Sequence, residues 1–528
     1  MKIEKAVELA IENIAKEGLT DIFPRPYELD CLKNDEFKRK IHRDLVKRLK
    51  ANSFEALKIS PIQHVLYPKK TAFDFRRSAL MLPMDTILYL ALVLRLADVI
   101  EQYRIPKKKK RVFSYRFSMR AKNGDIFLPS WNYTAFRNHI HRKKKHRNVQ
   151  FVVECDIANF YDRLNLHRLE QILLSLPVKK NEVKIINSLL LFWSNRDSYG
   201  LPVGSNASRI LAETALIPID NFLTSHNINY CRFVDDFRLF APDITTAHIW
   251  LTKLIERLSL EGLFINPRKT KIEEVKISEK EEKEVSVFTP PKPKRSKPAK
   301  IIAGYTGLIP TKFREASQKE KERLIHLGNE NFTELLTNPD IIEPKQFTDF
   351  LKFSIYSEKY DNLNKIPELL PKFPQLTLYT VDFLVKKTDS LPEETITRLQ
   401  EFFSEWLLSH PDIPEYIAIA IVKLLGSEDF VNKEALLIFF RNLKRNSGAY
   451  IGRATLDALQ NVVNREDVIE IRPYFQRADM WEKRAIIKMV DEHLEDEEKR
   501  PWLRNIKIHA TNDHFSVGLF SVKECKKK

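Results

Sequence analysis

Two adjacent aspartates near the middle of the chain, Asp235 and Asp236, have the residue type and the setting to carry chemistry. They join two short runs of β-prone residues in the stretch Tyr230–Phe240, YCRFVDDFRLF, which reads as a hairpin. A two-residue hairpin turn normally takes Asn-Gly, Asp-Gly or Gly-X, and adjacent carboxylates repel each other. One interpretation is a solvated acidic turn. The other is a site for a divalent metal ion, because such oxygen ligands suit Mg²⁺.

A third aspartate, Asp156, ends a largely apolar run at residues 149–156 that predicts a buried strand. The segment Ile157–Asp162 then leads into an amphipathic helix predicted from Leu166. An aspartate at a strand-to-helix junction can also be an N-cap, so Asp156 alone does not decide between the two roles.

Two loops flank the hairpin in sequence. Residues 200–208, GLPVGSNAS, predict a glycine-bearing loop that feeds a helix and lets another backbone or a base pair approach closely. After the hairpin, a helix is predicted from Thr246 to Leu260. Residues 262–272, GLFINPRKTKI, then predict a strand with a turn that presents Lys269 and Lys271.

The charge balance favours a polyanionic partner. The 528 residues carry a formal net charge of +17, which does not choose between nucleic acid and a membrane surface. Two basic clusters, Lys107–Arg111 and Arg142–Arg147, alternate with aromatic residues. Such a pattern suits a groove in which phosphates meet cations and bases stack on rings, although a solvated face gives the same pattern.

The sequence indicates neither a membrane span nor a disulfide framework. The most apolar segment, residues 87–94, is far shorter than a spanning helix, and the acidic, amphipathic N-terminus does not resemble a signal peptide. We therefore expect no membrane partner. The four cysteines lack CxxC spacing, so we expect a reducing cytoplasm.

The C-terminal half predicts a different architecture. Residues 278–300 are charged and Pro-rich and predict a linker or extended loop. Residues 301–528 read as successive helices with polar breaks about 15 to 20 residues apart, which favours a HEAT-like α-solenoid over an irregular helical domain.

Four stretches in one order resemble the motifs of reverse transcriptases. The first is Asp156–Asp162, the second is the glycine loop with Leu211–Glu213, the third is Phe233–Asp236 and the fourth is Gly262–Thr270. Four motifs in the family's order are far harder to obtain by chance than any single one. With the helical C-terminal half, the chain resembles the bacterial abortive-infection and defence-associated reverse transcriptases of the AbiK-like group.

The resemblance implies an α+β fold, with the fingers and palm of a right-hand-like polymerase and a ferredoxin-like palm sheet, followed by the helical domain. Its implied boundaries are an N-terminal helical segment at residues 1–60, fingers at 61–150 and a palm at 151–277.

The same resemblance implies phosphoryl transfer assisted by two Mg²⁺ ions, with Mn²⁺ as a substitute. Asp156 and Asp235 would bridge the ions, and Asp236 would complete the acidic cluster. Tyr161 would stack under the incoming sugar and reject a 2′-hydroxyl, so the expected substrates are dNTPs. Lys269 would contact the leaving group, and Arg76 or Arg77 would contact the triphosphate. Ile157 and Gly204 would contact the bound nucleotide.

One departure from the family leaves template reading open. Many templated reverse transcriptases carry Gln where this chain has Val203. The AbiK-like relatives imply untemplated DNA synthesis primed by a protein tyrosine, which leaves DNA covalently attached. Sixteen tyrosines are candidates, and Tyr27 precedes the fingers.

Three functions follow from these observations. The first is an antiphage DNA polymerase, protein-primed and template-independent. The second is a defence reverse transcriptase templated by a bound noncoding RNA. The third is a nucleic-acid-binding scaffold without catalysis, against which the intact acidic set speaks. A solenoid commonly serves as an assembly surface, so we also expect a homo-oligomer.

Overall fold

The computed structural model of the chain describes residues 1–20, 25–68, 74–195, 197–275, 313, 315–326, 344–409, 412–443, 450–510 and 513–516. They fall into two units, the first within Met1–Ile62 and Ala79–Ala303 and the second within Gln63–Ser78 and Gly304–Lys528. The predicted linker at residues 278–300 and the start of the predicted helical domain lie outside the described residues.

The first unit is built around one buried helix. Its α-helices are α1 (Ile3–Glu17), α2 (Asp35–Lys50), α3 (Pro83–Tyr103), α4 (Tyr133–Lys144), α5 (Phe160–Arg163), α6 (Leu166–Leu174), α7 (Lys180–Trp193), α8 (Asn206–Ala215), α9 (Ile217–Ser225) and α10 (Ile244–Leu260). Helix α3 is apolar on all sides and packs against α1, α7 and α8, as expected of a helix enclosed by protein. The amphipathic N-terminal helix predicted from the sequence is confirmed as α1.

In the described part of the chain, eight strands form three sheets. They are β1 (Gln63–Pro68), β2 (Phe75–Leu80), β3 (Phe117–Lys122), β4 (Asp125–Phe127), β5 (Phe151–Asp156), β6 (Tyr230–Phe233), β7 (Asp236–Ala241) and β8 (Lys271–Glu274). Strands β1 and β2 pair, β3 and β4 pair, and the last four strands form a sheet in the order β6-β7-β5-β8.

The four-stranded sheet has the predicted ferredoxin-like connectivity. Its strands are antiparallel, with helices between β5 and β6 and with α10 between β7 and β8, which gives a β-α-β-β-α-β unit. The strand predicted at residues 262–272 forms later than expected. Ile265 makes only an isolated bridge to Ile157, Pro267–Lys269 is a 3₁₀ turn, and β8 follows.

The register divides the sheet into two faces. Asp156 lies opposite Asp236, Glu154 opposite Arg238 and Val152 opposite Phe240, so these side chains share what we call the front face. The alternate residues of β6 and β7, including Arg232 and Phe237, point to the back face. Helix α10 contacts β5 and β7, and α4 contacts β6 and β7.

The second unit is mostly helical. Its labelled helices are α11 (Pro344–Tyr356), α12 (Ile366–Leu369), α13 (Thr377–Lys387), α14 (Glu393–Ser409), α15 (Glu415–Leu425), α16 (Lys433–Asn442), α17 (Ile451–Leu459), α18 (Arg465–Ile471), α19 (Met480–His493) and α20 (Asp496–Ala510). Helix α15 contacts both α13 and α17, and α17 contacts α19, while α14 contacts α16. Strand β1 contacts α15 within this unit. None of the described helices is long and apolar enough to span a bilayer.

The β3–β4 turn yields a test of the first unit. Asn123 and Gly124 have φ angles of 51° and 76°, and α1 packs on this turn, where the Asn13 amide donates to the Gly124 carbonyl at 2.8 Å. A Cβ at Gly124 would lie 2.7 Å from the backbone of Glu12.

We expect Gly124→Ala to destabilise the protein by about 3 kcal/mol, because it adds a backbone clash to the strain of a positive φ. Gly262→Ala is the control, since its φ is 73° but nothing lies within 4 Å of the added Cβ. It should cost only about 1 kcal/mol. Urea unfolding followed by circular dichroism compares the two, and equal costs would refute the clash.

Candidate active site

The hairpin turn consists of Val234 and Asp235. The sequence-based interpretation of an Asp-Asp turn is wrong by one residue, because Asp236 pairs with Phe233 and already belongs to β7. Val234 has a φ of 57°, a conformation that a β-branched residue adopts only at a cost. The turn is therefore strained at the residue that precedes the two aspartates.

Three carboxylates meet at this end of the sheet. Asp156 ends β5 directly opposite Asp236, and the Ile157 amide donates to the Asp235 carbonyl at 3.2 Å. All three aspartates are half-buried. Like charges placed opposite each other on adjacent strands destabilise a sheet, so the arrangement needs compensation.

Cations on the front face compensate part of this charge. Lys269 Nζ lies 2.8 Å from Asp156 Oδ2. Arg238 pairs with Asp236 and also with Glu154, whose Oε1 lies 3.3 Å from Arg238 Nε.

Asp235 and Asp236 nevertheless keep raised pKa values. Burial raises the pKa of Asp235 to about 7, and the neighbouring carboxylate of Asp156 adds to the rise. Burial likewise raises the pKa of Asp236 to about 6, although Arg238 opposes the rise. In this arrangement the carboxylates favour protons at a pH where exposed aspartates have lost them.

The turn is held from behind by the side chain of Ser114. The Val234 amide donates to Ser114 Oγ at 2.9 Å, and the Ser114 hydroxyl donates to Glu213. Arg232 Nη1 donates to the Val234 carbonyl at 3.1 Å. Both polar groups of the strained Val234 are thus satisfied by side chains.

Arg232 and Glu213 belong to a buried ionic network. Arg232 lies 2.6 Å from Asp220 Oδ2 and 2.9 Å from Glu213 Oε2, and it is fully buried. Glu213 Oε2 also lies 2.6 Å from Arg104 Nη2. Arg104 and Arg116 in turn share Glu101. Because this network follows from side chains far apart in the chain, sequence reasoning missed it, apart from Glu213, which belongs to the second of the four motifs.

The residues predicted to contact the nucleotide are placed as follows. Ile157 is buried directly after β5, and Tyr161, 7% exposed, lies in α5 with its carbonyl 2.9 Å from the Leu201 amide of the glycine loop. Gly204 in the same loop has a φ of 111° and precedes Ser205, the N-cap of α8. The structure thus joins the first and second motifs by a backbone hydrogen bond.

Arg76 and Arg77 lie on β2 within the second unit. Arg77 Nη2 lies 3.3 Å from His64 Nδ1, and burial together with Arg77 lowers the pKa of His64 to about 4. Their predicted role at the triphosphate stays a prediction.

Comparison with known protein families matches a continuous part of the chain. Residues 68–300 match the reverse transcriptase family, described as RNA-dependent DNA polymerase. The chain contains a reverse transcriptase domain. Such a domain is the RNA-directed DNA polymerase type of nucleotidyltransferase. No curated protein sequence matches the chain significantly.

Solved structures similar to the chain include telomerases of two yeasts. A Candida tropicalis apo telomerase truncated from its C-terminal domain is 17% identical, with 41% of this chain and 51% of that chain covered and a TM-score of 0.29. This chain thus spans about half of that telomerase. The Candida albicans telomerase in complex with a fragment of telomeric RNA is 11% identical, with 81% and 71% covered and a TM-score of 0.30. The apo Candida tropicalis telomerase is 12% identical, with 78% and 68% covered and a TM-score of 0.31. Scores this low establish no shared overall fold.

Reverse transcriptase domains generally use divalent metal ions such as Mg²⁺. The donors of this domain fit such an ion, because they are carboxylate oxygens whose raised pKa values a nearby cation would reverse. They are not preassembled around it. Among the described residues no group of three or more His, Cys, Asp or Glu forms a ready metal site, and Lys269 and Arg238 occupy oxygens of Asp156 and Asp236.

The network behind the turn predicts a non-additive effect on stability. We expect Arg232→Met to cost about 3 to 5 kcal/mol, because it leaves Asp220 and Glu213 buried without that cation. Adding Asp220→Asn should recover part of the loss, since one of the two uncompensated charges disappears. Urea unfolding of the single and double variants measures the coupling. Losses that simply add would contradict the network.

The raised aspartate pKa values predict that stability falls as pH rises in metal-free buffer. Between about pH 4 and pH 7 the native reverse transcriptase domain holds a proton on Asp235 that the unfolded chain has lost, so raising the pH favours unfolding. Asp235→Asn should flatten this dependence.

Thermal unfolding from pH 5 to pH 7.5 in a chelator tests the prediction, with the Asp235→Asn profile as reference. Mg²⁺ should raise the midpoint of the unmodified protein at the upper pH by about 2 °C and leave Asp235→Asn nearly unchanged. Parallel pH profiles for the two proteins would refute it.

Proposed function

We propose that this protein synthesises DNA from dNTPs, with Asp156, Asp235 and Asp236 holding two Mg²⁺ ions at the hairpin. The observation that carries the proposal is the meeting of these three half-buried carboxylates at one end of the palm sheet. When bound, such ions lower the pKa of an attacking hydroxyl and neutralise charge on a leaving pyrophosphate. Mn²⁺, with the same preference for oxygen, would substitute.

The remaining roles belong to side chains around the carboxylates. Lys269, next to Asp156, carries the positive charge that would neutralise or protonate the leaving group. Tyr161, largely buried beside the glycine loop, would limit the space at the 2′ position, and Ile157 and Gly204 would border the nucleotide. Arg76 or Arg77 would grip the triphosphate as a charged clamp.

We infer further that synthesis is protein-primed and template-independent, in antiphage defence in the bacterial cytoplasm, as in the AbiK-like relatives. Val203 is buried in the glycine loop and supports this inference, because its side chain has no amide group that could contact a newly formed base pair. Tyr27 heads a 3₁₀ turn in the first unit and is half-buried, so it is one candidate primer among the sixteen tyrosines.

The second unit supports membership of that group. Helices α13, α15, α17 and α19 contact one another in series, and α14 contacts α16, which is the nearest-neighbour pattern of a HEAT-like repeat. Such a surface would serve homo-oligomer assembly.

A second candidate function is RNA-templated synthesis. The family description of the domain, RNA-dependent DNA polymerase, and the net charge of +17 favour a bound noncoding RNA. The two candidates share the carboxylates and differ only in what is copied.

Incubation with Mg²⁺ and labelled dNTPs, without added primer, followed by denaturing electrophoresis tests the proposal. We expect labelled DNA that migrates with the protein, and a loss of at least about 10³-fold with Asp235→Ala, because a metal ligand is removed. Glu256→Ala, which removes an exposed carboxylate of α10, is the control and should keep full activity. No DNA from the unmodified protein, or equal products from Asp235→Ala, would contradict polymerase function.

Two treatments separate the candidates. Synthesis that survives RNase digestion supports template independence, and synthesis that it abolishes supports a bound RNA template. Mass spectrometry of a tryptic digest then locates any tyrosine that carries a nucleotide.

A further inference from the structure

Two basic clusters that are distant in sequence converge on one residue of the palm. Arg111 Nη1 lies 2.7 Å from Asn229 Oδ1, and Lys143 Nζ lies 3.4 Å from the same oxygen. Arg111 follows the turn Lys107–Lys109, and Lys143 belongs to the last turn of α4. The fold therefore gathers Lys107–Arg111 and Arg142–Arg147 into one basic surface.

The charge of this surface is only weakly compensated within the described part of the chain, where Lys144 interacts electrostatically with Glu273. No member of either cluster forms an ion pair with a described carboxylate. Burial lowers the pKa of His139 to about 4, and the cations Lys143, Arg142, Lys110 and Arg111 lower it further. Burial and Arg111 also lower the pKa of Lys143. A basic cluster with so little compensation favours binding of a polyanion.

The helix dipole does not account for the surface. Cations in the last turn of a helix such as α4 interact favourably with its C-terminus, but the charge to be balanced there is only about half a unit. The dipole also leaves the separate cluster Lys107–Arg111 unexplained.

An exposed aromatic ring lies at the other end of α4. Tyr133 is 50% exposed, and its ring meets that of Phe233 edge-to-face with 5.4 Å between centroids. Phe233 ends β6 immediately before the catalytic turn. From Tyr133 to Lys143 the helix spans about 15 Å, and Arg137, one turn after Tyr133, is exposed on the same side.

Helix α4 also lies on the catalytic face of the palm. Phe136 packs with Val152, Cys231 and Phe240, which share the front face with Asp156 and Asp236. A path along α4 therefore begins beside the carboxylates and ends at the basic surface.

We propose that the exposed side of α4 and the basic surface bind single-stranded DNA, with a base stacked on Tyr133 and phosphates on the cations. An aromatic platform followed by cations is how proteins hold single strands without reading sequence. The bound strand would be the DNA product as it leaves the hairpin. This origin of the strand rests on the proposed function. The binding itself does not depend on catalysis.

Fluorescence anisotropy with a labelled oligodeoxythymidylate, without nucleotides and in the inactive Asp156→Asn protein, tests the surface. The surface variant carries Lys109→Gln, Lys110→Gln and Arg142→Gln. The control variant, Lys40→Gln with Arg43→Gln and Lys47→Gln, removes equal charge from exposed positions of α2. Because the readout is binding by an inactive protein, failure of polymerase function leaves the result unaffected.

We expect the surface variant to bind about tenfold more weakly, with the slope of log affinity against log salt smaller in magnitude by about 2, since each phosphate contact contributes about 0.7. The control variant should keep the slope of the Asp156→Asn parent. Equal slopes for the two variants would overturn the proposal.

Tyr133 provides the test of stacking. Tyr133→Leu should weaken single-strand binding about tenfold, whereas Tyr133→Phe should retain it. The single-strand assignment would be overturned if two results occurred together. The surface variant would lose equal affinity for duplex DNA and for single strands, and Tyr133→Leu would leave binding unchanged. Loss of binding to phosphatidylserine vesicles without loss of oligonucleotide binding would identify a membrane contact instead and overturn the proposal.

Discussion

The turn that carries Asp235 depends on the buried guanidinium of Arg232. This side chain lies on the back face of the palm sheet, where burial opposes its charge and where Asp220 and Glu213 more than offset that cost, so its pKa is raised. It donates to the carbonyl of Val234, the residue with a left-handed backbone. A strained conformation persists only when its surroundings fix it, and here an ion network and the Ser114 hydroxyl fix it from two sides. The position of Asp235 follows from that constraint.

The charges behind the turn and the charges on the front face of the sheet differ in how well they are balanced. In the network that includes Arg232, the cations Arg104, Arg116 and Arg232 are matched by Glu101, Glu213 and Asp220, so the buried charges balance. On the front face the balance is incomplete, because the pKa values of Asp235 and Asp236 stay raised despite Arg238 and Lys269. A balanced network holds the backbone in place, while an unbalanced cluster retains affinity for a cation. Side chains alternate between the two faces along β6 and β7. Arg232 and Phe233 are therefore neighbours in the chain that point to opposite faces of the sheet.

The sequence predicted this site well where the signal was local. A largely apolar run located β5, and two short runs of β-prone residues located the hairpin. The order of four motifs brought Asp156 and the aspartate pair into one palm. The turn residue was missed because a shift of one position changes no hydrophobic pattern at a hairpin tip, although it moves Asp236 from the turn into β7. The network was missed because Ser114 and Val234 are 120 positions apart. The grouping of β1 with the second unit was missed for the same reason, since its contact with α15 joins distant parts of the chain.

The position of α4 indicates whether DNA made at the hairpin would leave it as a single strand or as a duplex. Val152 and Phe240 face α4 four residues along their strands from Asp156 and Asp236, which corresponds to about 13 Å of strand. Any strand that leaves the carboxylates in that direction meets a helix whose exposed side carries one aromatic ring and then cations, rather than a bare sheet. A ring offers its π-face only to an unpaired base, whereas cations hold the phosphates of paired and unpaired strands alike. The aromatic start of the path therefore favours a product that leaves unpaired. If synthesis is template-independent, as proposed, this agrees with the apolar side chain of Val203 in the glycine loop, because synthesis without a template would make no duplex.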